Sequence, residues 1–284
     1  GYTVAKYMLG KLYLKGEDVP KQMLHALHWL ESAVKDDNPY AEYLLGKTFL
    51  KGEDIERDTE RAESLLSRSA EQGNKYAAHT LGKAYLDGDI LAQNIDEAVR
   101  LLNLSASRNF APAQLILGRL LYKGEVIPKD IRQAVRWLDR AAAQKNPNAA
   151  YLAGKIYLTE GEVKDIQKAI RCFKIAAENG NDYAEYQLGK IYLYGKDIPR
   201  DTDTAMYYLH LAAKHGNQYA AQLIHSIHVN GNWTAALASL RLLGHMARVI
   251  QNRLENERRG RENSIDRKLR RKIEEKKQAH GLKQ

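Results

Sequence analysis

The stretch "LGKLYLKGEDVP" fills residues 9–20, "LGKTFLKGEDIE" fills 45–56, and "LGKIYLYGKDIP" fills 188–199. None of the three holds a nucleophile or a metal cage, so the phrase is read as packing rather than chemistry. Its Leu-Gly pair recurs at 9–10, 45–46, 81–82, 117–118, as Ala153-Gly154, and at 188–189, in steps of 36, 36, 36, 36 and 35 residues. A fixed period of this size marks an array of stacked units.

Each unit predicts two helices. Ala5, Ala41, Ala77, Ala113, Ala149 and Ala184 stand four residues before the pairs, so they share a helical face with the leucine, or with Ala153 in the fifth unit. The small residues and the glycine let a second helix come close. An aromatic follows three residues after the glycine at Tyr13, Phe49, Tyr85, Tyr157 and Tyr192, with Leu121 in the fourth unit. Gly16, Gly52, Gly88, Gly124, Gly161 and Gly195 are then expected to end the helix in a left-handed conformation. The second helix carries an i, i+3, i+4, i+7 stripe. In the first unit it is Ala26, Trp29, Leu30 and Ala33, and in the fifth it is Ala169, Cys172, Phe173 and Ala176. The predicted fold is all-α: an α/α solenoid, or superhelix, of six helix-turn-helix units with a concave side, closed by a C-terminal helix and a basic tail helix.

Small-x-x-x-Leu-Gly-x-x-Tyr-x-x-Gly, followed by an anchor alanine, an aromatic or leucine pair and Ala-Ala before Gly-Asn, resembles the Sel-one-like repeat, a relative of the tetratricopeptide repeat. The match covers about residues 1–230. The resemblance implies an adaptor and scaffold for other proteins, with no catalytic residues to carry over; protein partners are expected in the concave groove, and no cofactor is predicted. Residues 1–4 resemble the end of the Gly-Asn-x-Tyr seam seen at 180–183, so the chain is read as starting mid-pattern, within something longer.

Of 284 residues, 44% are hydrophobic, enough for a sizeable core. The single cysteine, Cys172, excludes an internal disulfide and suits a reducing compartment. No apolar run reaches membrane-spanning length and no leader is visible, which together point to a bacterial cytoplasm. The net charge is +9, yet residues 248–284 hold 13 Lys/Arg against 6 Asp/Glu, leaving 31 against 29 for residues 1–247. The basicity therefore belongs to the end of the chain.

Candidate chemistry is sparse. Cys172 occupies a position filled elsewhere by Trp29, Leu65, Leu101, Trp137 and Tyr208, so it reads as a core thiol. His25/His28 and His225/His228 have metal-clip spacing, but the counterparts of the first pair are ordinary surface residues, and no metal is predicted. One ladder stands out. The residue after each Leu-Gly, or Ala-Gly in the fifth unit, is basic: Lys11, Lys47, Lys83, Arg119, Lys155 and Lys190. Four residues before these stand Tyr7, Tyr43, His79, Leu115, Tyr151 and Tyr186. Cations interleaved with rings suit an acidic partner, and lysine stems simply lying over tyrosines is the alternative.

Beyond residue 230 the pattern changes. Ala236, Leu240, Leu243, Ala247, Ile250 and Leu254 form a short heptad seam within residues 231–256, read as a cap on the last unit or as a weak dimer contact. In the basic tail, 257–284, Arg267, Lys268, Arg270, Arg271 and Lys272 surround a thin apolar line. They are candidate contacts to DNA or to an acidic partner, or a solvated charge run. The wording of 266–281, Asp-Arg-Lys-Leu-x-x-Lys-Ile-x-Glu-Lys-Lys-x-Ala-x-Gly, also resembles the tails of mobilisation relaxases of Gram-positive conjugative elements. That resemblance implies the C-terminal region of a DNA-transfer protein whose catalytic residues lie upstream. A free-standing Sel-one-like adaptor in signalling or stress response is the other expectation.

Overall fold

A computed structural model describes residues 2–230. The expected capping helix and basic tail lie outside the described residues. Within them are thirteen α-helices and no strand, in the order α1 (Tyr2–Lys15), α2 (Met23–Lys35), α3 (Pro39–Lys51), α4 (Thr59–Glu71), α5 (Lys75–Asp87), α6 (Ile95–Ser107), α7 (Ala111–Lys123), α8 (Ile131–Ala143), α9 (Pro147–Thr159), α10 (Ile166–Glu178), α11 (Asp182–Tyr194), α12 (Thr202–Lys214) and α13 (Gln218–Asn230). Odd-numbered helices are the first members of the units and even-numbered helices the second. Each helix packs on its chain neighbours, and α1 also touches α3, α3 touches α5 and α7 touches α9. The result is an all-α solenoid.

The Leu-Gly pair explains the pairing within each unit. A Cβ on Gly118 would lie 2.5 Å from Leu138 Cγ, and one on Gly10 would lie 2.6 Å from Leu30 Cγ. The glycine is the point where the second helix presses its leucine against the first helix's backbone. Leu30, Leu66, Leu138 and Leu209 are fully buried as a result, each contributing on the order of 2 kcal/mol. The anchor alanines, from Ala26 to Ala205, are 0% exposed in all six units. Ala41, Ala77, Ala113, Ala149 and Ala184 are equally buried, whereas Ala5, on the first described helix, is exposed. The small polar residues of the stripe are bonded as well as buried. Ser105 Oγ donates to the carbonyl of Lys75 at 2.8 Å, and Ser69 Oγ to that of Pro39.

Turn chemistry repeats with the same period. In every unit the N-cap residue of the second helix donates its backbone N–H to the carbonyl of the ring position, as in Asp58 to Phe49 and Asp201 to Tyr192. Most first helices end on a left-handed glycine, such as Gly52 at φ 65°. The fifth unit departs from this, and the expectation for Gly161 was wrong. There α9 stops on Glu160 in extended conformation, and Gly161–Val163 form a 3-10 turn. This connection is one residue shorter than the others, and the 3-10 turn crosses it without the left-handed step. A finding beyond the six units is α13, a seventh first-type helix. Its Ala220 and Leu223 are buried, so it covers the core of the sixth unit.

Candidate functional site

The six ladder cations sit on α1, α3, α5, α7, α9 and α11, one per first helix, so they lie along one face of the array. Lys11, Lys47 and Lys190 are half-buried, while Lys83, Arg119 and Lys155 are exposed. Lys83 has a carboxylate nearby, Asp87 at 3.8 Å. Among the described residues none of the other five has one within 4.0 Å. Cations one turn further on are paired: Lys15 with Glu17 at 3.1 Å, Lys51 with Glu53 at 3.1 Å and Lys123 with Glu125 at 3.5 Å. The acids of this face thus serve the helix ends and leave the ladder open.

The expected lysine-on-tyrosine pairing forms in two units. Lys47 Nζ lies 5.7 Å from the Tyr43 ring and Lys190 Nζ 4.9 Å from the Tyr186 ring. Those tyrosines, with Tyr7 and Tyr151, have a second partner the sequence reading missed. Tyr7 packs on Tyr40 at 6.1 Å, Tyr43 on Tyr76 at 5.8 Å, Tyr151 on Tyr183 at 6.4 Å and Tyr186 on Tyr219 at 6.1 Å. Each contact joins a first helix to the next first helix. The outer rings remain accessible, with Tyr40 and Tyr183 both 50% exposed. The signal was present as a Tyr-Ala pair at 40–41, 76–77, 183–184 and 219–220.

The ribbon changes at the fourth unit, where Pro112 and Leu115 replace the rings. Phe110 fills the gap, 5.2 Å from Tyr76 and 5.1 Å from His79. It does so at the N-cap of α7, where most other first helices of the array carry a capping asparagine such as Asn146, and α7 has no side-chain cap. A ring at a position that favours Asn, Asp or Ser puts surface character ahead of local helix stability.

Titratable groups on this face register burial beside positive charge. His79 is held down to about 4 by burial and by Lys83 and Lys47. Burial raises Tyr7, Tyr151 and Tyr186 and lowers Lys190. Lys47 and Lys83, from successive units, both act on His79.

The other candidates resolve simply. Cys172 is buried in the core, and burial together with the nearby Asp139 carboxylate pushes its thiol up to about 12, away from thiolate reactivity. His25 packs on Tyr13 and His28 on Trp29, so the two rings serve separate contacts. Among the described residues no group of three or more His, Cys, Asp or Glu is placed to hold a metal ion. None of their helices is long and apolar enough to cross a membrane. Arg267, Lys268, Arg270, Arg271 and Lys272 lie outside the described residues, as does the seam from Ala236 to Leu254.

The profile of the Sel1 repeat matches six consecutive stretches, 3–38, 39–74, 75–110, 111–146, 147–181 and 182–217, one for each helix pair. The chain belongs to the Sel1 repeat family. A Sel1 repeat protein from Oxalobacter formigenes shares 31% identity with it at a TM-score of 0.65, over 79% of this chain and 65% of the other. A protective antigen of uropathogenic Escherichia coli with an SLR fold is 24% identical, over 78% of this chain and 55% of that one, at a TM-score of 0.45. An immunity protein from Pseudomonas aeruginosa is 19% identical, over 75% and 81%, at a TM-score of 0.43. The chain thus spans less than two thirds of the length of the first two. No curated protein matches it. Sel1 repeat arrays commonly serve as non-enzymatic scaffolds for protein partners, and the first-helix face of this Sel1 repeat chain is where cations and rings converge.

Proposed function

We propose that this Sel1 repeat array is a non-enzymatic interaction scaffold whose first-helix face holds an acidic, extended segment of a partner protein. The observation that carries the reading is the set of five ladder cations without a carboxylate among the described residues, Lys11, Lys47, Arg119, Lys155 and Lys190, with ladder tyrosines four residues before all of them but Arg119. A protein surface normally mixes charges of both signs, so a periodic row left open is complementary to an anionic chain. The tyrosines add apolar area at low entropic cost, which suits a peptide better than a bare polyanion. A relaxase-linked setting and DNA contact through 257–284 rest on the tail's wording and charge, and the ladder does not depend on them.

The test is fluorescence anisotropy with the full chain and a fluorescein-labelled peptide in which glutamates alternate with leucine and serine. Changing Lys11, Lys47 and Lys155 together to Gln is expected to weaken binding about tenfold, since three partly exposed charges each contribute on the order of 0.5 kcal/mol. Changing Arg267, Lys268, Arg270, Arg271 and Lys272 to Gln should alter it less than about twofold. A peptide with lysine in place of glutamate should not bind. Equal binding by the ladder variant and the unaltered chain, or loss confined to the tail variant, would remove the face from the account.

A further inference from the structure

Between α9 and α11, beside the last ladder cation, the first-helix face opens into a cavity of about 530 Å³. That volume falls within the range of sites for small ligands or single side chains. Leu158, Ile166, Ile191 and Tyr194 supply apolar walls, and Gln187 and Lys190 reach in from α11. Lys190 has no carboxylate within 4.0 Å among the described residues, and its ammonium rests 4.9 Å from the Tyr186 ring. The carboxylate on the cavity wall, Asp197, is already engaged by Lys164 at 3.4 Å. Lys196 adds a second positive charge at the rim. The cavity therefore offers a half-buried cation without a carboxylate partner among the described residues, set among aliphatic side chains and next to Gln187, whose side chain hydrogen-bonds that of Tyr151.

The smaller cleft between α5 and α7, about 300 Å³, shows the contrast. Its cations Lys83 and Lys123 are matched by Asp87 and Glu125, leaving Arg119 alone and exposed. The two clefts occupy corresponding places between first helices and both have apolar walls, yet the Lys190 cleft is the larger and its open cation is half-buried where Arg119 is exposed. The buried end of an ammonium gains most from an anion that also brings apolar surface, because water is then excluded from both.

We infer that the Lys190 cavity is a pocket for a carboxylate carried on an apolar arm: an acidic residue of the bound partner segment together with an adjacent aliphatic or aromatic group. This deepens the proposal that the first-helix face binds acidic segments and rests on that reading. The two nevertheless fail separately. Lys11, Lys47 and Lys155 test the face and do not line the cavity, whereas a small-molecule pair tests the cavity without the face.

The experiment uses the full chain labelled with ¹⁵N and follows the amide signals of Gln187 and Ile191 during titration with 4-phenylbutyrate, its neutral analogue 4-phenylbutyramide, and inorganic phosphate. Phenylbutyrate is expected to bind at millimolar concentration or below, about tenfold or more tighter than either comparison compound, as a charge-assisted contact plus apolar burial requires. Lys190→Met should erase the preference for acid over amide, while Lys155→Met, on the same position of the preceding unit, should leave it intact. The acid–amide comparison on the unaltered chain stands even if a variant misfolds. Equal binding of acid and amide, equal binding of phosphate, no shifts at millimolar phenylbutyrate, or a preference surviving Lys190→Met would each overturn the assignment.

Discussion

Lys145 follows α8 with φ at 60°, a left-handed conformation that costs an ordinary side chain on the order of 1 kcal/mol. The equivalent seams in the second, fifth and sixth units use Gly73, Gly180 and Gly216 at φ of 98°, 84° and 94°. Lys145→Gly is therefore expected to raise the midpoint of urea unfolding, by an amount equivalent to roughly 0.5–1 kcal/mol after allowing for glycine's freer unfolded chain. An unchanged or lower midpoint would contradict that account of the seam. His79 makes a pH-dependent prediction. Its folded value of about 4 lies below the ordinary 6.5, so the native ring stays neutral while the unfolded ring takes up a proton. Stability from this group is complete above about pH 6.5 and is lost as the pH falls towards 4, by at most about 3 kcal/mol. Buried Glu42 and Glu185, both raised by burial, act in the opposite sense because protonation relieves them. His79→Tyr, the ring of the equivalent positions, should flatten the stability profile between pH 6.5 and 4 in urea titrations. A profile as steep as that of the unaltered chain would show that other groups carry the slope.

At the scale of the helix, caps distinguish one unit from the rest. Asp58, Asn94, Asp130, Asp165 and Asp201 each accept from the amide three residues on, at distances between 2.8 and 3.2 Å. Gln22 holds the same place before α2 with φ −137° and ψ 93°, close to the −128° and 93° of Asp58, and makes no side-chain cap. Gln22→Asp should supply the bond to the amide of His25 and stabilise α2 by about 0.5–1 kcal/mol. Slower amide exchange in α2 would report it, and unchanged exchange would show that the backbone shape alone does not make a cap. Helix count, pairing and the role of Leu-Gly were legible in the sequence because a 36-residue period repeats each packing constraint six times. The end of α9 was not. Gly161 stands seven residues after Gly154, where the other helix-ending glycines stand six after theirs, so Glu160 falls at the cap position and the glycine lies one step beyond it, an offset the shared wording conceals.

Across the molecule, the ladder from Lys11 to Lys190 was legible from spacing, since residues one period apart must fall on one face. Its openness was not, because whether Glu17, Glu53 or Glu125 pairs with a ladder lysine or with Lys15, Lys51 or Lys123 depends on turn geometry. The outer row, Tyr40, Tyr76, Tyr183 and Tyr219, likewise acquires meaning only when successive first helices come together. The central claim is that this one face is the binding surface. The direct measurement is lysine acetylation footprinting of the full chain by mass spectrometry, with and without the glutamate-leucine-serine peptide. Lys11, Lys47, Lys83, Lys155 and Lys190 should be protected by the peptide, while the exposed Lys35, Lys174 and Lys214 on the second helices should react as before. Protection of Lys35, Lys174 and Lys214 with the ladder still reactive would place binding on the opposite face and contradict the account.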